Sequence, residues 1–430
     1  MPRGEGAKDV GSRGVVSFVS MKLALLLIVA SVGSGCHDGP AAPPLPARAA
    51  STPPPFASGP PGSVAPTVSV PVAATDVAPS GRFMTDADLG STISALSEET
   101  GEFPSDNFVS NETSLLDVAA ALRRDAIRGR AYVGVGPEQN LTYARLMRAS
   151  VAYVVDIRRQ NMLELMVIRA AMEQAPTRTA FFSAWTSRLD VSAKLAEPST
   201  ASVGEIARAI AGTPADTARR AALRDATRSL MARLGVVSAP SDDREIAKVV
   251  DAFATQGLDI AYSMKGSGRR YPALRELLAA LGPDGSTSFA ANEEAYSETR
   301  RMMMENRIVP VVGDFSGAKA LRGVAGDMKR RGVSLGVLYT SNVEQYLFEG
   351  RTYDRFVANV AAMPADEESL IVRVWFDQGR AHPMQRKGHR TTTLAMSLRR
   401  FLARTGTRPY RSYWEVTTDR VVLEPFGPNP

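Results

Sequence analysis

Four short apolar runs, each about as long as one strand and each followed by helical spacing, limit what this chain can become. They are Tyr132-Val-Gly-Val, Ser150-Val-Ala-Tyr-Val-Val-Asp156, Ile308-Val-Pro-Val-Val-Gly-Asp314 and Val333-Ser-Leu-Gly-Val-Leu-Tyr339. Residues 139–148, 160–173 and 316–331 place apolar side chains three and four apart, so each reads as a helix. Strand, helix, strand, helix predicts a parallel sheet with helices on its faces. At 430 residues, 44% of them hydrophobic, the chain is long enough to bury a large core around such a sheet.

The spacing also predicts helices over 86–100 and 114–127 before the first strand. Between the second and third strands, about 177–306, Ala- and Arg-rich segments (203–211, 217–234, 244–256, 273–281 and 292–305) read as a large helical insertion. Later β-rich runs cover 370–376, 412–417 and 420–423. The expected organisation is a leader at 1–36, a tether at 37–82 and an α/β domain at 83–430.

The single cysteine explains the leader. In Met21-Lys-Leu-Ala-Leu-Leu-Leu-Ile-Val-Ala-Ser-Val-Gly-Ser-Gly-Cys36, a lysine precedes an apolar run and small residues precede the cysteine, the layout of a secretory signal. The run is too short to span a bilayer stably. With Cys36 at the cut, it resembles a bacterial lipoprotein signal, which implies a lipidated Cys36, attachment to the lipid bilayer and a place in the cell envelope, periplasmic or surface-facing. The signal reads best from Met21, with residues 1–20 ahead of the true start. A buried free thiol is the alternative. From His37 to about Gly81 the chain is Pro, Ala, Ser, Gly and Thr, a composition that cannot bury enough surface to fold.

A formal charge of +6 is mild for this length, and no run of Lys and Arg is interleaved with aromatics, so nucleic acid is not an expected partner. Three scattered histidines and one cysteine give no metal-ligand spacing. There is no Gly-x-Ser-x-Gly and no cysteine nucleophile within the domain, which sets a hydrolase last.

The turn Gly134-Val-Gly136 follows a strand and precedes a helix, and Asp156 ends the next strand twenty residues after Gly136. Glycines there let backbone approach a ligand, a helix N-terminus favours anionic or polar groups, and a carboxylate on the second strand can accept two ribose hydroxyls. Gln139 stands where a third glycine would complete a dinucleotide fingerprint, which disfavours a pyrophosphate. This order is similar to that of class I S-adenosylmethionine-dependent methyltransferases. The resemblance implies a Rossmann-like sheet and S-adenosylmethionine as cofactor, held by Gly134, Gly136, Glu138, Asn140, Asp156 and Asp314. It also implies that Asn342 and Tyr346, after the fourth strand, sit near the transferred methyl group. Tyr132 stands where that family carries an acidic residue. The phrases VGVGPEQN, VVDIRRQN, RIVPVVGDFSGAKALR and LYTSNVEQYLF resemble the blocks of a largely uncharacterised bacterial family.

Each residue also has a plainer role open to it. Gly134 and Gly136 suit a tight turn, Asp156 suits an N-cap paired with Arg158 or Arg159, and Glu138, Gln139 and Asn140 suit a solvated helix start. Asp314 can cap the next helix, and Tyr346 can be core. Asn342 and Glu344 follow a strand at its carboxyl end, where open α/β sheets bind ligands, so both are expected to line a pocket. His382 could act as a general base. Two readings stay open: a membrane-anchored lipoprotein whose methyltransferase-like fold binds a nucleoside without transferring a methyl group, and an active methyltransferase.

Overall fold

One six-stranded sheet organises the domain, its strands lying in the spatial order third, second, first, fourth, fifth, sixth along the chain. The computed structural model describes residues 84–103, 105–263 and 269–419; the leader, Cys36, the tether and the run at 420–423 lie outside them. The strands are β1 (Ala131–Gly134), β2 (Ala152–Asp156), β3 (Ile308–Val312), β4 (Leu335–Ser341), β5 (Leu370–Phe376) and β6 (Thr391–Ser397). The first five are parallel, and β6 returns antiparallel to β5 with Leu370 opposite Ser397. Every residue of β1, β2 and β3 is buried, as expected of a parallel sheet covered on both faces. Pro310, which has no N–H to donate, is tolerated because β3 is an edge strand.

The crossovers follow the sequence. Helix Gln139–Leu146 links β1 to β2, helix Ala320–Arg331 links β3 to β4, and two helices, Val343–Glu349 and Tyr353–Ala361, precede β5. Helix Arg159–Glu173, after β2, is buried on all its faces because the sheet covers one side and insertion helices Thr217–Leu234 and Asp242–Gln256 cover the other. Among the described residues no helix is long and apolar enough to cross a membrane.

Three local expectations need correcting. Residues 412–417 form a helix, Tyr413–Thr418, rather than a strand, because the Ser412 hydroxyl accepts the Glu415 N–H and opens a turn. The helix expected over 114–127 is broken into one turn of α-helix between two 3₁₀ turns. Strand β6 was not expected at all. Its Thr-Thr-Thr-Leu-Ala-Met-Ser is fully buried, so polar threonines do not alternate with apolar residues in the way a half-exposed strand would show.

Candidate ligand site at the carboxyl end of the sheet

Chain direction reverses between β1 and β4. From β1 the chain moves outward through β2 to β3, then crosses back to β4 on the other side of β1. In open α/β sheets the crevice beyond the carboxyl ends at such a point is where ligands sit.

A strap covers this edge. Glu98 N–H donates to Val312 O beside β3, Gly101 N–H to Ile157 O after β2, and Ser110 N–H to the Glu138 carboxylate after β1 (3.2 Å to Oε2). Farther along, Glu112 Oε1 accepts the Tyr339 hydroxyl at 2.5 Å and the Ser341 hydroxyl at 2.6 Å at the end of β4. The Ser114 hydroxyl then bonds those of Thr391 and Thr393 on β6. Residues 98–103 and 105–114 therefore run from one edge of the sheet to the other and close the polar groups beneath them from solvent.

The turn after β1 is built by its own side chains. The Asn140 amide donates to the carbonyls of Val135, Gly136 and Pro137 at 2.7–3.0 Å, and its Oδ1 accepts the Tyr132 hydroxyl at 2.8 Å. A Cβ on Gly134 would collide with both that amide oxygen and the tyrosine hydroxyl. Gly136 holds φ +87°, the left-handed region that favours glycine. The glycines thus admit Tyr132 and Asn140 to the turn, and Tyr132 fills the space beneath it.

Asp156 is held by its neighbour. Arg158 Nε and Nη2 each donate to one carboxylate oxygen at 3.0 Å, the Arg158 N–H adds a third bond at 2.9 Å, and both side chains are buried. The same guanidinium donates to Asp106 O on the strap and lies over the Phe103 ring. Asp314 closes a turn with Ser316, whose N–H donates at 2.7 Å. The cap on helix Ala320–Arg331 comes from a distant residue, Glu98, which accepts the N–H groups of Lys319 and Ala320 at 2.7 Å.

Two candidate groups, one after β4 and one after β5, are engaged within the fold. Glu344 lines no pocket: it is fully buried in a two-bond ion pair with the equally buried Arg373 (2.7 and 3.1 Å), with Thr340 and Tyr353 hydroxyls completing its shell. His382 is no free base, since its Nδ1 accepts the Met384 N–H and its Nε2 faces Thr417 O, while burial holds its pKa below the ordinary value. Asn342 lies against the hydroxyl of Tyr346, which is 39% exposed and meets Phe103 edge-on at 5.5 Å. These two stand at the rim.

What sequence reasoning missed is the buried polar layer below the strap. Glu112, Glu138 and Glu164 are each at most 2% exposed. Burial raises all three carboxyls, Glu112 to about 7 and Glu138 to about 8, with repulsion from Glu112 adding to the rise at Glu138 and repulsion from Glu138 to that at Glu164. Side-chain atoms in this layer have no hydrogen-bond partner: Glu112 Oε2, Gln139 Oε1, Gln160 Nε2, both amide atoms of Asn161, and Glu164 Oε1. Buried polar atoms are normally paired, and a concentration of unpaired ones at one end of a sheet calls for an explanation. The one available signal was the repeated pair, Glu138-Gln139 and Gln160-Asn161, each polar at a helix start directly after a strand. Glu112, in a loop, gave none.

No curated protein matches the chain. The model of a family described as a domain of unknown function, DUF7790, matches residues 107–251 and 265–419. The chain belongs to that family.

Proposed function

Taking that membership as the premise, we propose that the chain is a membrane-anchored lipoprotein whose α/β domain binds a nucleoside, S-adenosylmethionine or a close relative, in a methyltransferase-like fold. The strand order, with an antiparallel strand beyond β5, supports a Rossmann-like reading. The observation that carries the ligand is the set of unpaired polar atoms at the carboxyl ends of β1 and β2. Gln160, Asn161 and Glu164, at the start of the helix after β2, offer donors and acceptors where a ribose would lie, while Asp156 acts through Arg158. The rim residues Asn342 and Tyr346 would orient the far end of the ligand.

A second reading, methyl transfer itself, is favoured by the carboxyls of Glu112 and Glu138. Groups held at about 7 and about 8 suit a general base near neutral pH. S-adenosylmethionine would supply the methyl group, and the chain's own residues would place the acceptor in line with it. The anchor rests on Cys36 and the apolar run before it, and the composition of 37–82 supports a tether between membrane and domain. Calorimetric titration of the chain with S-adenosylhomocysteine tests the binding claim: micromolar binding supports it, and silence removes it.

A further inference from the structure

We propose that the floor of this site, formed by Glu112, Glu138 and Gln139, receives an organic cation bearing ammonium groups. The inference rests on the nucleoside reading for its place in the fold and adds the chemistry of the second occupant.

The argument is an inventory of donors and acceptors. Tyr339 and Ser341 spend their hydroxyl protons on Glu112 Oε1 (2.5 and 2.6 Å), and the Gln139 amide nitrogen donates to the Tyr339 oxygen at 2.8 Å. Both hydroxyl protons that converge on this point are therefore used, as is one N–H of the Gln139 amide. What remains is acceptor capacity: Glu112 Oε2 and Gln139 Oε1 have no partner, and among the described residues Glu138 receives backbone N–H groups alone, those of Ser110 and of Glu138 itself. Gln139 is 4% exposed, and its amide is directed into the cluster by the bond to Tyr339. An occupant that completes these bonds must bring hydrogen-bond donors.

Charge points the same way. Groups that face Glu112 and Glu138 are each other, Glu164 and the tyrosines 132, 143, 339 and 413, none of them cationic. Arg158, the cation nearest Glu164, is committed to Asp156. Among the described residues neither buried carboxyl has a counter-ion, and burial favours their protonated forms. An ammonium ligand displaces those protons and takes their place. Among the described residues no three acidic, histidine or cysteine side chains converge as a metal site requires, so an extended organic cation fits better than a single ion.

The test is calorimetric titration of the full chain at pH 7 with 1,4-diaminobutane, repeated in two buffers of different ionisation enthalpy. The expected result is binding with net proton release to the buffer, no heat from the uncharged 1,4-butanediol, and at least tenfold weaker diamine binding in Glu138→Gln and Glu112→Gln. No diamine binding, equal binding of the diol, or binding without proton release overturns the proposal, and the wild-type measurement decides this even if a variant fails to fold. S-adenosylhomocysteine is titrated in parallel. Nucleoside binding with a silent diamine removes this inference alone, and diamine binding with a silent nucleoside removes the nucleoside reading alone.

Discussion

Asp156 and Arg158, two residues apart at the end of β2, close a buried ring in which both carboxylate oxygens meet guanidinium nitrogens at 3.0 Å. The pair links the sheet to the strap, because Arg158 also donates to Asp106 O. Removing the acid leaves a buried cation. Asp156→Ala is expected to cost about 3–5 kcal/mol, and Asp156→Ala with Arg158→Met to cost clearly less. Urea unfolding of the single and double variants measures this; equal losses would place the two residues in independent roles.

Glu344 and Arg373 make the same argument deeper in the fold. Neither side chain is exposed, and Arg373 also lies over the Phe401 ring at 4.3 Å. Glu344→Ala is expected to destabilise by about 3–5 kcal/mol without touching ligand affinity. A stable variant with altered affinity would return Glu344 to the site.

Stability should fall as pH rises from about 5 to 8. Glu112 and Glu138 have folded values of about 7 and about 8 against an ordinary 4.5, so the folded state holds protons that the unfolded chain gives up. Their contribution is fully present below the unfolded value and is lost as pH passes through the folded ones, by on the order of 3 kcal/mol for Glu112 and 5 kcal/mol for Glu138. His382, lowered by burial, acts oppositely over part of this range, so the comparison is made against a variant. Glu138→Gln, which can still accept the Ser110 N–H, should flatten the fall between urea midpoints at pH 5 and pH 8. An unchanged slope would mean that Glu138 does not titrate there.

Gly134→Ala should destabilise by several kcal/mol, since its methyl would enter the space of Asn140 Oδ1 and Tyr132 Oη. A thermal melt of the purified variant checks it. A near-wild-type melt would show that the turn can relax, and would leave the glycine free to serve a ligand.

Cys36→Ser should abolish membrane fractionation and signal processing if the thiol carries the lipid. Retention of both in the variant would remove the anchor.

The strands were legible because buried parallel strands are written as short continuous apolar runs, and β2 and β3 stand where such runs predict them. Among the helices, Val203–Ala211 and Thr217–Leu234 match their spacing end to end, whereas the one expected over 114–127 is broken and Tyr413–Thr418 reads as a strand. The site was legible only in part. Gly134, Gly136 and Asn140 stand out as a turn, but that Asn140 and Tyr132 fill it depends on tertiary approach. Asp156 announces itself as a strand-end acid, and the partner that occupies it is a neighbour that reads as surface charge. Glu112 meets Tyr339 across 227 positions of sequence, a distance over which local pattern carries no information.

The most direct test concerns Asn161, which is 1% exposed and whose two amide atoms have no partner in the fold. A residue left unpaired for a ligand should cost the fold nothing when replaced by an apolar isostere, and should cost the ligand a great deal. S-adenosylmethionine and S-adenosylhomocysteine would be titrated into wild type and Asn161→Leu, with a melt of each. The account predicts micromolar binding to wild type, at least tenfold weaker binding to the variant, and a melting temperature no lower than wild type. Absence of binding to wild type, or binding indifferent to Asn161→Leu, would contradict it.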